Sequence, residues 1–153
     1  MDKEQILTKI TDVGVVAVVR ANSSEQAMKI ADACIEGGIP AIELTFTVPH
    51  ADKVIADLAA KYTHGEIILG AGTVMDPETA RIAILAGAQF VVSPYFNPET
   101  VKLCNRYRVA CMPGAMTIKE IVSAMESGVD IVKVFPGNLF GPKIIKAIKG
   151  PLP

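Results

Sequence analysis

The chain has 153 residues, half of them apolar, and a formal net charge of −1. This is one domain's length with ample material for a core, and the charge balance offers no basic field for nucleic acid or an anionic membrane. Three cysteines without short spacing argue against a disulfide framework or a zinc knuckle, and His50 and His64 match no ligand motif. No apolar run reaches membrane-spanning length, and the opening "MDKEQILTKI" lacks the apolar stretch of a signal peptide, so a cytoplasmic protein is expected.

A short helix is expected over about residues 2–11, followed by a first strand in "VGVVAVV" at 13–19. Ser23 and Gln26 form a weak capping box for the next helix, whose apolar face is Ala27, Ile30, Ala31, Cys34 and Ile35; Gly37 and Gly38 stop it. The second strand is "AIELTF" at 41–46, and residues 50–62 carry a helical stripe of Val54, Ile55, Leu58, Ala59 and Tyr62. "IILGA" at 67–71 is the third strand. Asp76-Pro77 then opens a helix that Gly87 ends, because an Asp cap followed by proline satisfies the first turn. "FVVS" at 90–93, a helix from Asn97-Pro98, and "VACM" at 109–112 follow. Thr117 and Glu120 spell a stronger capping box, and Gly128 ends that helix before the sixth strand, "DIVKVF" at 130–135. A last helix, "GPKIIKAIKG", precedes the closing "PLP".

The six strands are rich in β-branched residues and almost continuously apolar, as expected of parallel strands buried on both faces. Right-handed helical crossovers join them. Two architectures fit: an open doubly wound sheet, or part of a (β/α)8 barrel. The first is disfavoured because no Gly-x-Gly-x-x-Gly follows the first strand; "GAGT" at 70–73 offers only a lone Gly-x-Gly. For the second, a single domain over 1–153 would supply an N-terminal helix and six β/α units, leaving it incomplete at the C-terminal side with two unpaired edges.

In a barrel, polar residues at the C-terminal ends of strands gather on one rim. Arg20, Glu43, Thr45, Thr73, Ser93 and Lys133 are placed there by the strand pattern. Glu43 and Lys133 stand among apolar neighbours, and buried opposite charges require each other or a ligand. One reading is a structural ion pair. The other is a Schiff-base lysine: desolvation favours the neutral amine, which attacks a ketone, while Glu43 moves protons. Arg20 can be a surface residue or can hold a carboxylate or phosphate. Thr73 either closes a turn or donates to a carboxylate. Phe135 is either core or a cover that keeps water from the imine. Pro94 and Pro113-Gly114 shape loops, and Gly137 and Gly141 allow loop amides to approach an anion.

Four stretches carry a resemblance: "GGIPAIELTFTVPHA", "GAGTVMDPETARIAILAGAQFVVSP", "CMPGAMTIKEIVSAMESG" and "DIVKVFPGNLFGP". With them the chain resembles the 2-keto-3-deoxy-6-phosphogluconate and 4-hydroxy-2-oxoglutarate aldolases, across nearly its whole length. The resemblance implies a class I aldolase on a (β/α)8 TIM barrel, working as a homotrimer and needing no metal or other cofactor. It implies Lys133 in "VKVFPG" as the Schiff-base lysine and Glu43 in "IELTF" as the proton-transferring group. Arg20 and Thr73 would surround the pyruvate carboxylate, with Pro94 and Phe135 lining the pocket. The implied reaction is reversible cleavage of 2-keto-3-deoxy-6-phosphogluconate to pyruvate and glyceraldehyde 3-phosphate, with 4-hydroxy-2-oxoglutarate as a further substrate.

Two departures stand out. Thr47 occupies a position where many members carry a substrate-binding arginine, and the "PTGG" motif with its glycine-rich phosphate cradle does not follow "GPLP". The alternatives are a sister aldolase of the phosphogalactonate type, and a truncated barrel without activity that serves as an assembly module. A phosphosugar isomerase or epimerase would share the barrel but gives no reason for a lysine in the sixth strand.

Overall fold

A computed structural model describes residues 1–152, so Pro153 of the closing "PLP" lies outside the described residues. Helix α1 spans Lys3–Val13. The Asp2 carboxylate accepts from the Gln5 N–H at 2.8 Å, and the Gln5 side chain accepts from the Asp2 N–H at 3.0 Å. This reciprocal cap starts the helix, and Gly14 at φ 70° ends it. The expected strand over 13–19 is therefore shortened: β1 is Ala17–Val19, because the left-handed turn at Gly14 consumes the residues before it.

The remaining elements alternate. They are α2 (Ser24–Glu36), β2 (Ala41–Thr45), α3 (Ala51–Lys61), β3 (Ile68–Gly72), α4 (Pro77–Ala86), β4 (Phe90–Ser93) and α5 (Pro98–Arg106). After them come β5 (Ala110–Ala115), α6 (Ile118–Glu126), β6 (Lys133–Val134), a short 3-10 turn over Gly137–Leu139, and α7 (Lys143–Ile148). Asp76, Asn97 and Thr117 cap their helices through side-chain oxygens, as their spacing predicts.

Two further expectations are corrected. The sixth strand is two residues long, not six; Ile131 is 37% exposed, and pairing begins only at Lys133. Pro113-Gly114 lies inside β5, not in a loop. Cys111 and Ala115, in the same alternation as Pro113, bond toward the β6 side. The missing proline N–H thus falls where β6 has not yet begun, and no ladder bond is lost.

All neighbouring strands are parallel, in the order β1-β2-β3-β4-β5-β6. A doubly wound sheet reverses its strand order at a switch point. Sequential order without reversal is that of the (β/α)8 TIM barrel, of which the described residues form six units.

The sheet has two cores. Its outer face packs Ile42, Leu44, Leu69 and Val91 against helical residues such as Val54, Leu58 and Val101. Each fully buried side chain of this size contributes about 1.5–3 kcal/mol. The inner face packs Ala41, Ile68, Phe90, Val92, Ala110 and Met112 against Ile6 and Ile10 of α1. Helix α1 is therefore a plug at the N-terminal ends of the strands, and the opposite rim is left for polar groups.

Candidate active site

Side chains alternate across a strand, so Ala41 and Glu43 of β2 share the inner face while Ile42 and Leu44 face the helices. Glu43 is the next inner residue above the α1 plug and is 4% exposed. Its neighbours on β3 are glycines: Glu43 pairs with Gly70, and Thr45 with Gly72. A Cβ on Gly72 would run into the Glu43 carboxylate, and a Cβ on Gly70 would run into the Phe90 ring. Bare backbone is what makes room for a carboxyl group inside the sheet.

Lys133 arrives from the far side of the curve. It pairs with Gly114, which also lacks a side chain because a Cβ there would meet the Pro94 carbonyl. The Lys133 ammonium nitrogen lies 3.7 Å from Glu43 Oε1, with the two side chains 32% and 6% exposed. At that separation the two groups attract without a short hydrogen bond. The same nitrogen sits 5.4 Å from the Phe135 ring centre, a cation–π distance. Burial pushes the Glu43 carboxyl above its ordinary value, and the charges of Lys133 and Arg20 pull only partly against it.

The structure thus brings Lys133, Glu43 and Phe135 together, and Arg20 is close enough for its charge to act on Glu43. Arg20 itself is exposed, at the end of β1. Pro94 follows β4 and reaches the group through the contact of its carbonyl with Gly114. Thr73 follows β3 with φ 56°, a left-handed conformation that costs a β-branched residue energy. Strain of this kind concentrates where a site demands a particular side-chain direction.

Other rim candidates are committed elsewhere. The Thr45 hydroxyl donates to the Val19 carbonyl at 3.1 Å and lies 2.7 Å from the Thr47 hydroxyl, tying β2 to β1. The Ser93 hydroxyl donates to the Tyr95 carbonyl at 2.6 Å and shapes a turn. Gly137 opens the turn after β6, where a Cβ would meet nothing within 4 Å, and Gly141 follows that turn with φ 65°, a left-handed backbone that favours glycine. The sequence reading missed Gly70, Gly72 and Gly114, which make room for the Phe90 ring, the Glu43 carboxyl and the Pro94 carbonyl. The signal was present: glycine at alternate positions of "ILGAG" clears one face of that strand.

A buried carboxyl with raised proton affinity beside a half-buried amine can exchange protons with a carbonyl compound held between them. A family model described as KDPG and KHG aldolase matches residues 6–153. The chain belongs to the KDPG and KHG aldolase family. The 2-dehydro-3-deoxy-phosphogluconate aldolase of Treponema pallidum is 42% identical over 136 residues, covering 89% of this chain and 64% of that protein. The 2-dehydro-3-deoxy-6-phosphogalactonate aldolase of Escherichia coli is 31% identical over 143 residues, covering 94% of this chain and 69% of that protein. The chain therefore spans about two thirds of the length of these curated relatives.

Among solved structures, the KDPG aldolase of Legionella pneumophila holds pyruvate as a covalent carbinolamine. It superposes with a TM-score of 0.83 at 29% identity, over 90% of this chain and 66% of that one. A designed cube-shaped cage, made by fusing symmetric oligomeric domains, superposes with a TM-score of 0.84 at 31% identity, over 90% of this chain and 51% of that one. No helix among the described residues is long and apolar enough to cross a membrane.

Proposed function

We propose that this member of the KDPG and KHG aldolase family is a class I aldolase acting through an imine at Lys133. The observation that carries the reading is the half-buried Lys133 amine 3.7 Å from the buried Glu43 carboxyl, inside a mostly apolar sheet. The substrate is 2-keto-3-deoxy-6-phosphogluconate, with 4-hydroxy-2-oxoglutarate as a smaller one. The neutral Lys133 nitrogen adds to the C2 ketone, and the carbinolamine loses water with a proton supplied by Glu43. In the resulting iminium, Glu43, now a carboxylate, takes the C4 hydroxyl proton through a water. The C3–C4 bond breaks, its electron pair moves into the iminium to give an enamine, and glyceraldehyde 3-phosphate leaves. Protonation at C3 and hydrolysis release pyruvate and restore the amine.

The raised proton affinity of Glu43 suits a group that both gives and takes a proton in one cycle. Arg20 and Thr73 hold the carboxylate of the pyruvate half, and Pro94 and Phe135 line its apolar side. We place the enzyme in the cytoplasm as a homotrimer of a single barrel domain; its likeness to domains used in a symmetric cage supports assembly. A second reading, cleavage of the phosphogalactonate analogue, is supported by the similarity to the relative from Escherichia coli.

The test is incubation with pyruvate, borohydride reduction and location of the adduct by peptide mass spectrometry. An adduct at Lys133, abolished in Lys133→Ala, supports the reading. Trapping that persists on another lysine overturns the assignment. Absence of any adduct in a folded sample favours the reading of an assembly module without activity. Turnover of the two phosphorylated sugar acids, compared side by side, separates the two substrate readings.

A further inference from the structure

Strand β6 carries Lys133 yet is only Lys133–Val134, paired with β5 through Gly114↔Lys133 and Ala115↔Val134. A ladder this short fixes register weakly, and a slip of one residue would turn the lysine to the other face. A second anchor lies upstream. Asp130 Oδ2 accepts from the Cys111 N–H at 3.0 Å, and the Asp130 N–H donates to the Cys111 carbonyl at 3.4 Å. The other carboxylate oxygen, Oδ1, meets the Lys3 ammonium of α1 at 2.6 Å, with the two side chains only 11% and 18% exposed. Both oxygens of Asp130 are therefore used, and the contact is largely shielded from solvent.

Both contacts fasten the segment that enters β6 to Cys111 of β5, three residues before Lys133. The Asp130 N–H to Cys111 carbonyl bond spans 19 residues against 20 for the Phe135 N–H to Ala115 carbonyl bond of the ladder, so it is a separate anchor just ahead of the ladder and not a rung of it. We infer that Asp130, held by Lys3, is a positioning residue: it fixes the segment entering β6 and so aims Lys133 toward Glu43. The plug helix α1 is in this way tied directly to the strand that bears the reactive amine. The inference rests on the reading of Lys133 as the imine-forming residue.

The test measures the rate of borohydride-trapped pyruvate adduct at Lys133, per folded molecule and well below each variant's melting temperature. Asp130→Ala, which loses both contacts, is expected to slow trapping at least about tenfold, since misplacement of a reacting group by about 1 Å costs on the order of a hundredfold. Asp130→Asn keeps an oxygen for the Cys111 N–H and Lys3→Met keeps the carboxylate, so each is expected to fall between Asp130→Ala and the parent. Lys29→Met, which breaks only the exposed Lys29–Glu25 pair, is the control with an unchanged rate. Faster hydrogen exchange at the Phe135 amide, which bonds the Ala115 carbonyl, is expected in the slowed variants. If Asp130→Ala does not fold, the graded effect is read from Asp130→Asn and Lys3→Met. Parent-like trapping in Asp130→Asn and Lys3→Met, together with parent-like trapping in any folded Asp130→Ala, overturns the inference. A parent chain that forms no adduct at Lys133 instead overturns the aldolase reading on which it stands.

Discussion

A methyl group at position 72 would occupy the volume of the Glu43 carboxylate. Gly72→Ala is therefore expected to displace Glu43 and to slow aldol cleavage by roughly a hundredfold, the scale of losing a positioned proton-transfer group. Pyruvate trapping should fall less, because Lys133 is untouched; equal losses in both assays would point to general disruption of the sheet. Glu43 also leaves a signature in stability. Burial raises its proton affinity in the folded chain above the ordinary value of 4.5. The folded state then binds the proton more tightly than the unfolded state, so the contribution is complete below pH 4.5 and is lost as pH rises through the raised value. Glu43→Gln removes that titration. The melting temperature of the variant minus that of the parent is expected to increase between about pH 4 and pH 8 under this linkage. A difference that stays flat would mean that Glu43 is ionised as readily in the fold as out of it.

Among the elements, helix starts were the most legible in sequence because their signals are local. Thr117 and Glu120 are three residues apart and each satisfies backbone donors of the other's turn. Thr117→Ala is expected to cost about 1 kcal/mol, read as a lowered melting temperature with the imine assay intact. Strand β4 occupies residues 90–93 as its apolar run predicts, since both faces are buried. Strand β6 was overestimated because apolar residues alone cannot reveal that Ile131 stays exposed. Lys133 and Glu43 were legible as charges out of place among apolar neighbours. Asp130 was not, because its partner Lys3 lies at the other end of the chain and nothing in the local pattern announces the pairing. The short β1 had a similar cause: Gly14 looks like part of an apolar run until its left-handed backbone is seen.

For the molecule as a whole, sequential parallel order separates two ends of the sheet by function. Helix α1 fills one end with Ile6 and Ile10, and the opposite end carries the charged pair. The plug and the proposed chemistry thus lie at opposite ends of the inner face, as in barrels generally. Apolar side chains remain on the exterior after β6, with Leu139 63% and Phe140 44% exposed. Apolar residues that are contiguous on a surface mark contacts between subunits. If the proposed homotrimer uses this segment, Leu139→Ser combined with Phe140→Ser is expected to shift the mass from three chains per particle toward one, measured by light scattering. An unchanged mass would locate the contact between copies elsewhere.

The glycines packed around the charged pair also limit how the site can be redesigned. At positions 70, 72 and 114, any larger residue meets Phe90, Glu43 or the Pro94 backbone. A saturation library at these codons should return almost only the parent sequence. New selectivity has to be recruited from the rim, at positions such as Thr47, where diversity can accumulate without dismantling the chemistry beneath.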